Sequence, residues 1–335
     1  MIVKALSIVL LGLLALGAVV LPGSNPPITK SSNHQPEELG QVHWLRDLDA
    51  ATTEAKQSGK PMLILFQEVP GCSNCTRFGN GPLSHPLIVE AIETHFVPVC
   101  IFNNKGGADA AALKKFGEPS WNNPVVRIVR ADHSDVLPRM TNFNSTWQVV
   151  NGMRRALDLT ANAAPNWLEL LESELLAQES GTETATFSMH CFWSGEGTFG
   201  AIDGVVETEP GFQDGREVVK VVFNPAVVKR SDLEARTRPD GIAACPKNEG
   251  FRSDREPKYY LSKTHWRFVP MTPQQAARAN SLVGKGQSPE AVLSARQIEL
   301  AGFIQANPGR KWKNAVGERD LAKAWAEAQK IRQQG

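Results

Sequence analysis

The feature that constrains this chain most is a short apolar run that leads straight into a pair of cysteines. Pro61 to Phe66 reads P-M-L-I-L-F, an uninterrupted apolar stretch of strand length, as expected of a strand covered on both faces. After Gln67 comes E-V-P-G-C-S-N-C-T-R-F. Pro70 and Gly71 make a turn, and Cys72 then stands where a helix begins, facing the unpaired backbone N–H groups and dipole that favour a thiolate. Cys75 comes one helical turn later. In such a pair Cys72 is placed to attack a target disulfide and Cys75 to resolve the mixed disulfide that forms. The competing use of C-x-x-C, half of a zinc site, needs two more Cys or His ligands at short spacing. None is evident, and His85, His95 and His265 show no metal-like spacing, so neither a metal nor a cofactor is expected.

The surroundings of this motif alternate helix and strand. Leu45, Leu48, Ala51 and Ala55 recur at helical spacing between Trp44 and Gly59, and Gly59 and Pro61 stop that helix. Further strands are expected at Phe96 to Phe102 and Pro124 to Val129, and a helix at Trp167 to Ala177. The pattern predicts an α/β fold. Cys100, inside the second apolar run, reads as an inert strand residue.

At 335 residues the chain suggests two domains, taking roughly 150 residues for each. Basic residues number 36 and acidic residues 35, a balance that gives no electrostatic argument for nucleic acid. The amino terminus places Lys4 before an apolar stretch, Ala5 to Leu21, that Pro22 and Gly23 end. That order is the pattern of an export signal. Residues 5–21 are either a cleaved signal peptide or a membrane anchor, and the protein is expected to be periplasmic or otherwise extracytoplasmic. The expected organisation is a signal or anchor at 1–22, a linker at 23–40, a first domain at 41–178 and a second at 184–335.

Residues 41 to 175 resemble the thioredoxin family in their order of strand, C-x-x-C, helix, strand and helix, with Pro124 opening a strand after W-N-N. The resemblance implies that Pro124 is cis and shapes the substrate groove. More narrowly, V-P-G-C-S-N-C looks like a thioredoxin-like group with a V-P-G motif, some members of which carry selenocysteine where this chain has Cys72.

Beyond Gln178 the character changes. The run M-H-C-F-W-S-G-E-G-T-F-G, then G-V-V, G-F, D-G-R-E and an apolar stretch to Phe223, resembles the A-type peptide methionine sulfoxide reductases. The matching residues are Cys191, Phe192, Trp193, Glu196, Gly204, Val205, Gly211, Phe212 and Glu217. The resemblance implies an α+β second domain in which Cys191 is the nucleophile and Glu217 the acid. Phe192, Trp193 and Phe212 would form the wall that receives the substrate's methyl group. The chemistry suits those residue types, because a thiolate can attack the sulfoxide sulfur while a carboxylic acid protonates the departing oxygen. The sulfenic acid left on Cys191 then needs a thiol, and Cys72 with Cys75 supplies a dithiol in the same chain. His190 adjoins the nucleophile and reads either as its neighbour in function or as a solvent-facing residue.

Two family segments have no counterpart here. Phe212 and Glu217 are five residues apart, which leaves no room for the family's N-P-T-Y segment, and 238–266 contains no N-D-x-G-x-Q-Y-R. Tyr259, Tyr260 and Asp254 are residues of the missing types, without an assignable place. Cys245, in a Pro, Gly and Asn-rich loop, is either half of a static disulfide with Cys191, a mobile resolving thiol, or unpaired. The carboxy-terminal segment Lys311 to Gln334 is expected to close the second domain as an amphipathic helix.

The function these readings favour is reduction of peptide methionine (S)-S-oxide at Cys191 with electrons from Cys72 and Cys75. The alternative is a thiol-disulfide oxidoreductase whose second domain is degenerate and binds partners. Expected partners are proteins that carry methionine sulfoxide or disulfides, and an upstream thiol reductant, but no nucleic acid.

Overall fold

Asp47 starts the first helix, α1 (Leu48–Ser58), by accepting hydrogen bonds from the N–H groups of Asp49 at 2.8 Å and Ala50 at 3.0 Å. The helix expected from Trp44 therefore begins four residues later than its apolar spacing suggested, and Leu45 instead bridges in parallel to Val99. The apolar run becomes β1 (Met62–Gln67), buried throughout. The computed structural model describes residues 35–71, 73–143 and 145–334; the expected signal or anchor at 1–22, the linker up to residue 34, and Cys72 lie outside the described residues.

After α2 (Ser73–Asn80) and α3 (Pro86–His95), β2 (Val97–Phe102) lies parallel to β1, with Met62 opposite Val97 and Gln67 opposite Phe102. Following α4 (Ala108–Phe116), β3 (Val125–Val129) pairs antiparallel to the other side of β1, and the two-residue β4 (Met140–Thr141) completes the order β2-β1-β3-β4. Alternate residues of β1 enter different cores. Leu63 and Leu65 pack with Phe78, Leu87, Ile88 and Ile92, and with the helices α5 (Thr146–Leu159) and α6 (Asn166–Ser180). Met62, Ile64 and Phe66 pack with Ala51, Ala55, Ala112 and Leu113 on the other face. Helices on both faces explain why the strand is apolar without alternation.

The second sheet has the order β8-β5-β7-β6-β9, and every pairing in it is antiparallel. Its strands are β5 (Glu183–Ser188), β6 (Val205–Gln213), β7 (Arg216–Phe223), β8 (Ala243–Ala244) and β9 (Arg252–Ser253). Between β5 and β6 runs α7 (Phe192–Gly200), and α8 (Arg230–Thr237) comes after β7. Phe187, Phe199, Val219, Val221 and Phe223 form the core beneath this sheet. A one-turn helix α9 (Tyr259–Ser262) leads to α10 (Pro273–Gly284), α11 (Ala295–Ala306) and the closing α12 (Leu321–Gln333). The closing helix starts ten residues later than expected: Asp320 caps it, accepting from the Lys323 N–H at 2.9 Å, while Trp312 turns back to donate to the Asn307 carbonyl at 2.9 Å. The fold is α/β, as the sequence predicts. No helix among the described residues is long and apolar enough to cross a membrane.

From Gln35 onward the chain packs as one unit, and carboxylates of the first half hold helix starts of the second. Glu90 on α3 accepts from the Ser294 hydroxyl at 2.5 Å and the Arg296 N–H at 2.8 Å, at the start of α11. Glu174 on α6 accepts from the Gln274 N–H at 2.9 Å, at the start of α10. Each satisfies an N–H group that a helix cannot satisfy internally.

Burial sets the acidity of these groups. It raises the Glu174 carboxyl from 4.5 to about 7, with a smaller push from Glu207 and opposition from the Thr272 and Gln274 hydrogen bonds. Burial raises Glu90 in the same direction. Burial alone would raise Glu93 too, but hydrogen bonds from Arg296 and His43 outweigh it and hold Glu93 low. A carboxyl that binds its proton more tightly when folded adds stability that is complete below its unfolded value and lost as pH rises through its folded value. For Glu174 that window runs from about 4.5 to about 7. Glu174→Gln is therefore expected to flatten the fall in melting temperature between pH 5 and 8, removing a change on the order of 3 kcal/mol. An unaltered pH profile, read by thermal melts, would contradict the assignment.

Candidate active site

The second half assembles its candidate site where β5 gives way to α7. Cys191 is the N-cap residue of α7, in extended conformation, and its own side chain makes no capping bond. The cap is supplied from the neighbouring strand: Glu217, near the start of β7, accepts the Phe192 N–H through Oε2 at 2.9 Å. The carboxylate and the cysteine thus share one helix start, and the Met189 N–H bonded to the Glu217 carbonyl at 3.2 Å ties the two chain segments together.

The five-residue spacing of Phe212 and Glu217 results from a hairpin. Asp214 and Gly215 both have positive φ, 52° and 75°, the combination a two-residue type I′ turn requires and Asp-Gly favours. That turn sets Phe212 directly opposite Glu217 across β6 and β7. Phe212 also meets Phe192 edge-on with ring centroids 5.3 Å apart, and Phe192 lies 5.4 Å from Trp193. Cys191, Phe192, Trp193, Phe212 and Glu217 are therefore brought together.

Two aromatic residues that the sequence left unplaced join them. The Tyr259 ring stacks on Trp193 at 3.9 Å and 13°, and the Tyr260 hydroxyl is 3.3 Å from Ser194 Oγ. Asp254 does not take part in this way. It continues β9 along the sheet edge, its N–H bonded to the Pro210 carbonyl and its carboxylate accepting from the Glu256 N–H at 2.9 Å. Glu196, on α7, is fully buried and pairs with Lys258 at 3.2 Å. Burial raises its carboxyl above the usual range against the pull of Lys258. Beside Glu217 lies an open groove of about 380 Å³ lined by Met189, exposed His190, Arg216, Gly241 and Ala243. A second depression, about 260 Å³ between Trp312 and α12, is lined by none of these residues.

Cys245 is not paired with Cys191; both thiols are free. The antiparallel register puts Ala243 opposite Ser188 and Ala244 opposite Phe187, and bonds the Cys245 N–H to the Thr186 carbonyl at 2.8 Å. The register thus runs Cys245 back along β5, away from the end of that strand at Ser188, beyond which Cys191 begins α7. The static disulfide considered from the sequence is thus absent, and direct resolution by Cys245 requires β8 to leave the sheet edge.

In the first half, Cys75 is buried on α2. Cys72 lies outside the described residues. The Asn123–Pro124 peptide is cis, and so is Val69–Pro70. Because Val125 pairs with Phe66, buried Pro124 stands level with the end of β1. Asn103 and Asn104, just past β2, join the two proline loops: Asn104 donates to the Pro70 carbonyl at 3.2 Å and accepts from the Val69 N–H at 3.3 Å, while Asn103 donates to the Asn122 carbonyl at 3.2 Å and to Asn123 Oδ1. Glu38, buried under the cysteine loop, accepts the Gly71 N–H at 2.7 Å. Helix α2 can lie against the Glu37–Leu39 turn because residue 79 is glycine; a Cβ there would stand 1.8 Å from the Glu37 carbonyl oxygen. Neither the asparagine pair nor Glu38 carried a sequence signal, since each acts through a loop distant in the chain. Among the described residues no group of His, Cys, Asp and Glu is arranged to hold a metal ion.

Comparison with known proteins finds two similarities. Residues 43–131 match the Thioredoxin-like family model. A separate comparison finds the peptide methionine sulfoxide reductases MsrA of Methanococcus maripaludis strains C6 and C5, 39% and 41% identical over 16% of this chain and 45% of each relative. The MsrA of Methanothermobacter thermautotrophicus is 40% identical over 15% of this chain and 40% of its own length. The chain spans less than half the length of these curated relatives. It thus carries a thioredoxin-like segment together with partial similarity to peptide methionine sulfoxide reductases.

Proposed function

We propose that this protein is a thiol-dependent reductase in which a thioredoxin-like module of the V-P-G type is fused to a reduced peptide methionine sulfoxide reductase module. The observation that carries the reading is the Glu217 carboxylate bonded to the Phe192 N–H beside Cys191, at the start of α7. The Cys191 thiolate attacks the sulfoxide sulfur of a peptide methionine (S)-S-oxide to form an S–S bond, Glu217 delivers a proton to the sulfoxide oxygen, and that oxygen passes as hydroxyl to the Cys191 sulfur as the S–S bond breaks. The products are methionine and a Cys191 sulfenic acid. A thiol of the Cys72/Cys75 pair displaces water from that sulfenic acid to give a mixed disulfide, and the second thiol releases Cys191 as thiol, leaving Cys72 and Cys75 oxidised. An external thiol reductant then restores the pair. Fusion keeps the reductant at high local concentration.

Phe192, Trp193 and Phe212 supply an apolar wall suited to a methyl thioether. The Lys4 and Ala5–Leu21 pattern supports placing the protein outside the cytoplasm, where methionine-sulfoxide-containing and disulfide-containing proteins are its substrates, with residues 5–21 as cleaved signal or anchor.

The test is single-turnover reduction of a methionine sulfoxide peptide by the fully reduced soluble chain, with Cys191→Ser in parallel. Methionine formation is expected in the parent chain and absent in the variant. Equal yields would remove Cys191 from the chemistry. No turnover in either chain, alongside a reducible Cys72/Cys75 pair, would leave a thiol-disulfide oxidoreductase with a degenerate second module.

A further inference from the structure

Lys258 occupies a position that nothing about lysine favours. Its side chain is 7% exposed, and its backbone takes a left-handed conformation, φ 55°, which is uncommon and costly outside glycine and asparagine. One carboxylate compensates both features. Glu196 accepts the Lys258 backbone N–H through Oε2 at 2.8 Å and the Nζ through Oε1 at 3.2 Å, while the Nζ also reaches the Thr208 carbonyl. Thr208 Oγ1 donates to the same Glu196 oxygen at 3.3 Å, so the acid is itself held in place. Both its oxygens are occupied by a single residue of another segment, which fixes that residue in position and in orientation.

The two residues after Lys258 give the arrangement its meaning. Tyr259 and Tyr260 open α9, and the first stacks on Trp193 while the second reaches Ser194. Trp193, Ser194 and Glu196 all belong to α7, the helix that begins at Cys191. Resting on the proposed sulfoxide reduction at Cys191, we propose that the Glu196–Lys258 pair is a positioning device that seats Tyr259 against Trp193, and that Tyr259 is a specificity-determining wall of the methyl thioether subsite. The pair acts through the tyrosine and touches no substrate. Its loss therefore weakens substrate binding and leaves the Cys191 and Glu217 step intact.

The experiment compares the full soluble chain with Lys258→Met, which keeps side-chain length without charge, and with Tyr259→Ala. Trp193 emission, taken as the difference from a Trp193→Phe chain, reads the stack without reference to activity. Steady-state reduction of a methionine sulfoxide peptide reads KM and kcat separately. Lys258→Met and Tyr259→Ala are expected to change Trp193 emission in the same sense and to raise KM about tenfold, with kcat within about twofold. Unchanged emission and KM in a folded Lys258→Met chain would overturn the proposal, as would a fall in kcat at constant KM. Should Lys258→Met fail to fold, Glu196→Gln decides, since it retains an acceptor for the Lys258 N–H but not the charge: a smaller shift in the same sense supports the proposal, and no shift overturns it. A parent chain that reduces no sulfoxide defeats the proposed function, and the emission comparison then still decides whether the pair seats Tyr259.

Discussion

Replacing Glu217 by glutamine is expected to lower the single-turnover rate of sulfoxide reduction by about 10²–10⁴-fold, the range typical of a lost general acid. The amide keeps an oxygen that can accept the Phe192 N–H, so the start of α7 and the placing of Cys191 survive the change. What disappears is the proton for the departing oxygen. Glu217→Ala separates the two roles from the other side, because it also removes the cap, at a cost of about 1 kcal/mol of stability. Rapid-quench measurement of methionine formation, with a thermal melt of each variant, resolves the pair. A glutamine variant as fast as the parent would show that the proton comes from elsewhere and that Glu217 serves only as a cap.

The parts legible in the sequence were those in which neighbouring residues act together. The apolar run from Pro61 to Phe66 announced a strand covered on both faces, found at Met62–Gln67, and the Pro124 strand start falls beside it, with Val125 opposite Phe66. Cys191, Phe192 and Trp193 are consecutive, and one helix start positions all three.

The parts that escaped depend on contacts between distant residues or on a turn signal passed over. Asp214-Gly215 was visible in the sequence as a hairpin signal, yet the close spacing of Phe212 and Glu217 read as a deletion; the turn conformation explains how that spacing brings the two into register. Tyr259 lies 66 positions from Trp193 in the chain yet stacks on it, next to a Lys258 bonded to buried Glu196. Glu90 and Glu174 carried no sequence signal. Burial against α10 and α11 made them caps for helices more than 90 residues further on. The position of Cys245 was equally illegible, because antiparallel register, not distance along the chain, carries it away from Cys191.

The second large effect concerns stoichiometry, and it tests the joining of the two modules. A fully reduced chain freed of external reductant first converts one sulfoxide to methionine at Cys191. If Cys72 and Cys75 then resolve the sulfenic acid, Cys191 returns to the thiol and a second sulfoxide is reduced, after which no dithiol remains. In Cys75→Ser, Cys72 can form a mixed disulfide with Cys191 but nothing releases it, so the reaction stops after the first sulfoxide. Cys245→Ser should leave the parent count unchanged, since the residue follows β8 and its N–H is bonded to the Thr186 carbonyl, away from the start of α7. The decisive measurement is methionine formed per chain from excess peptide sulfoxide, by mass spectrometry, for the parent, Cys75→Ser and Cys191→Ser. Two equivalents, one and none are the counts the two-module account requires, and a parent chain that stops at one equivalent would contradict it.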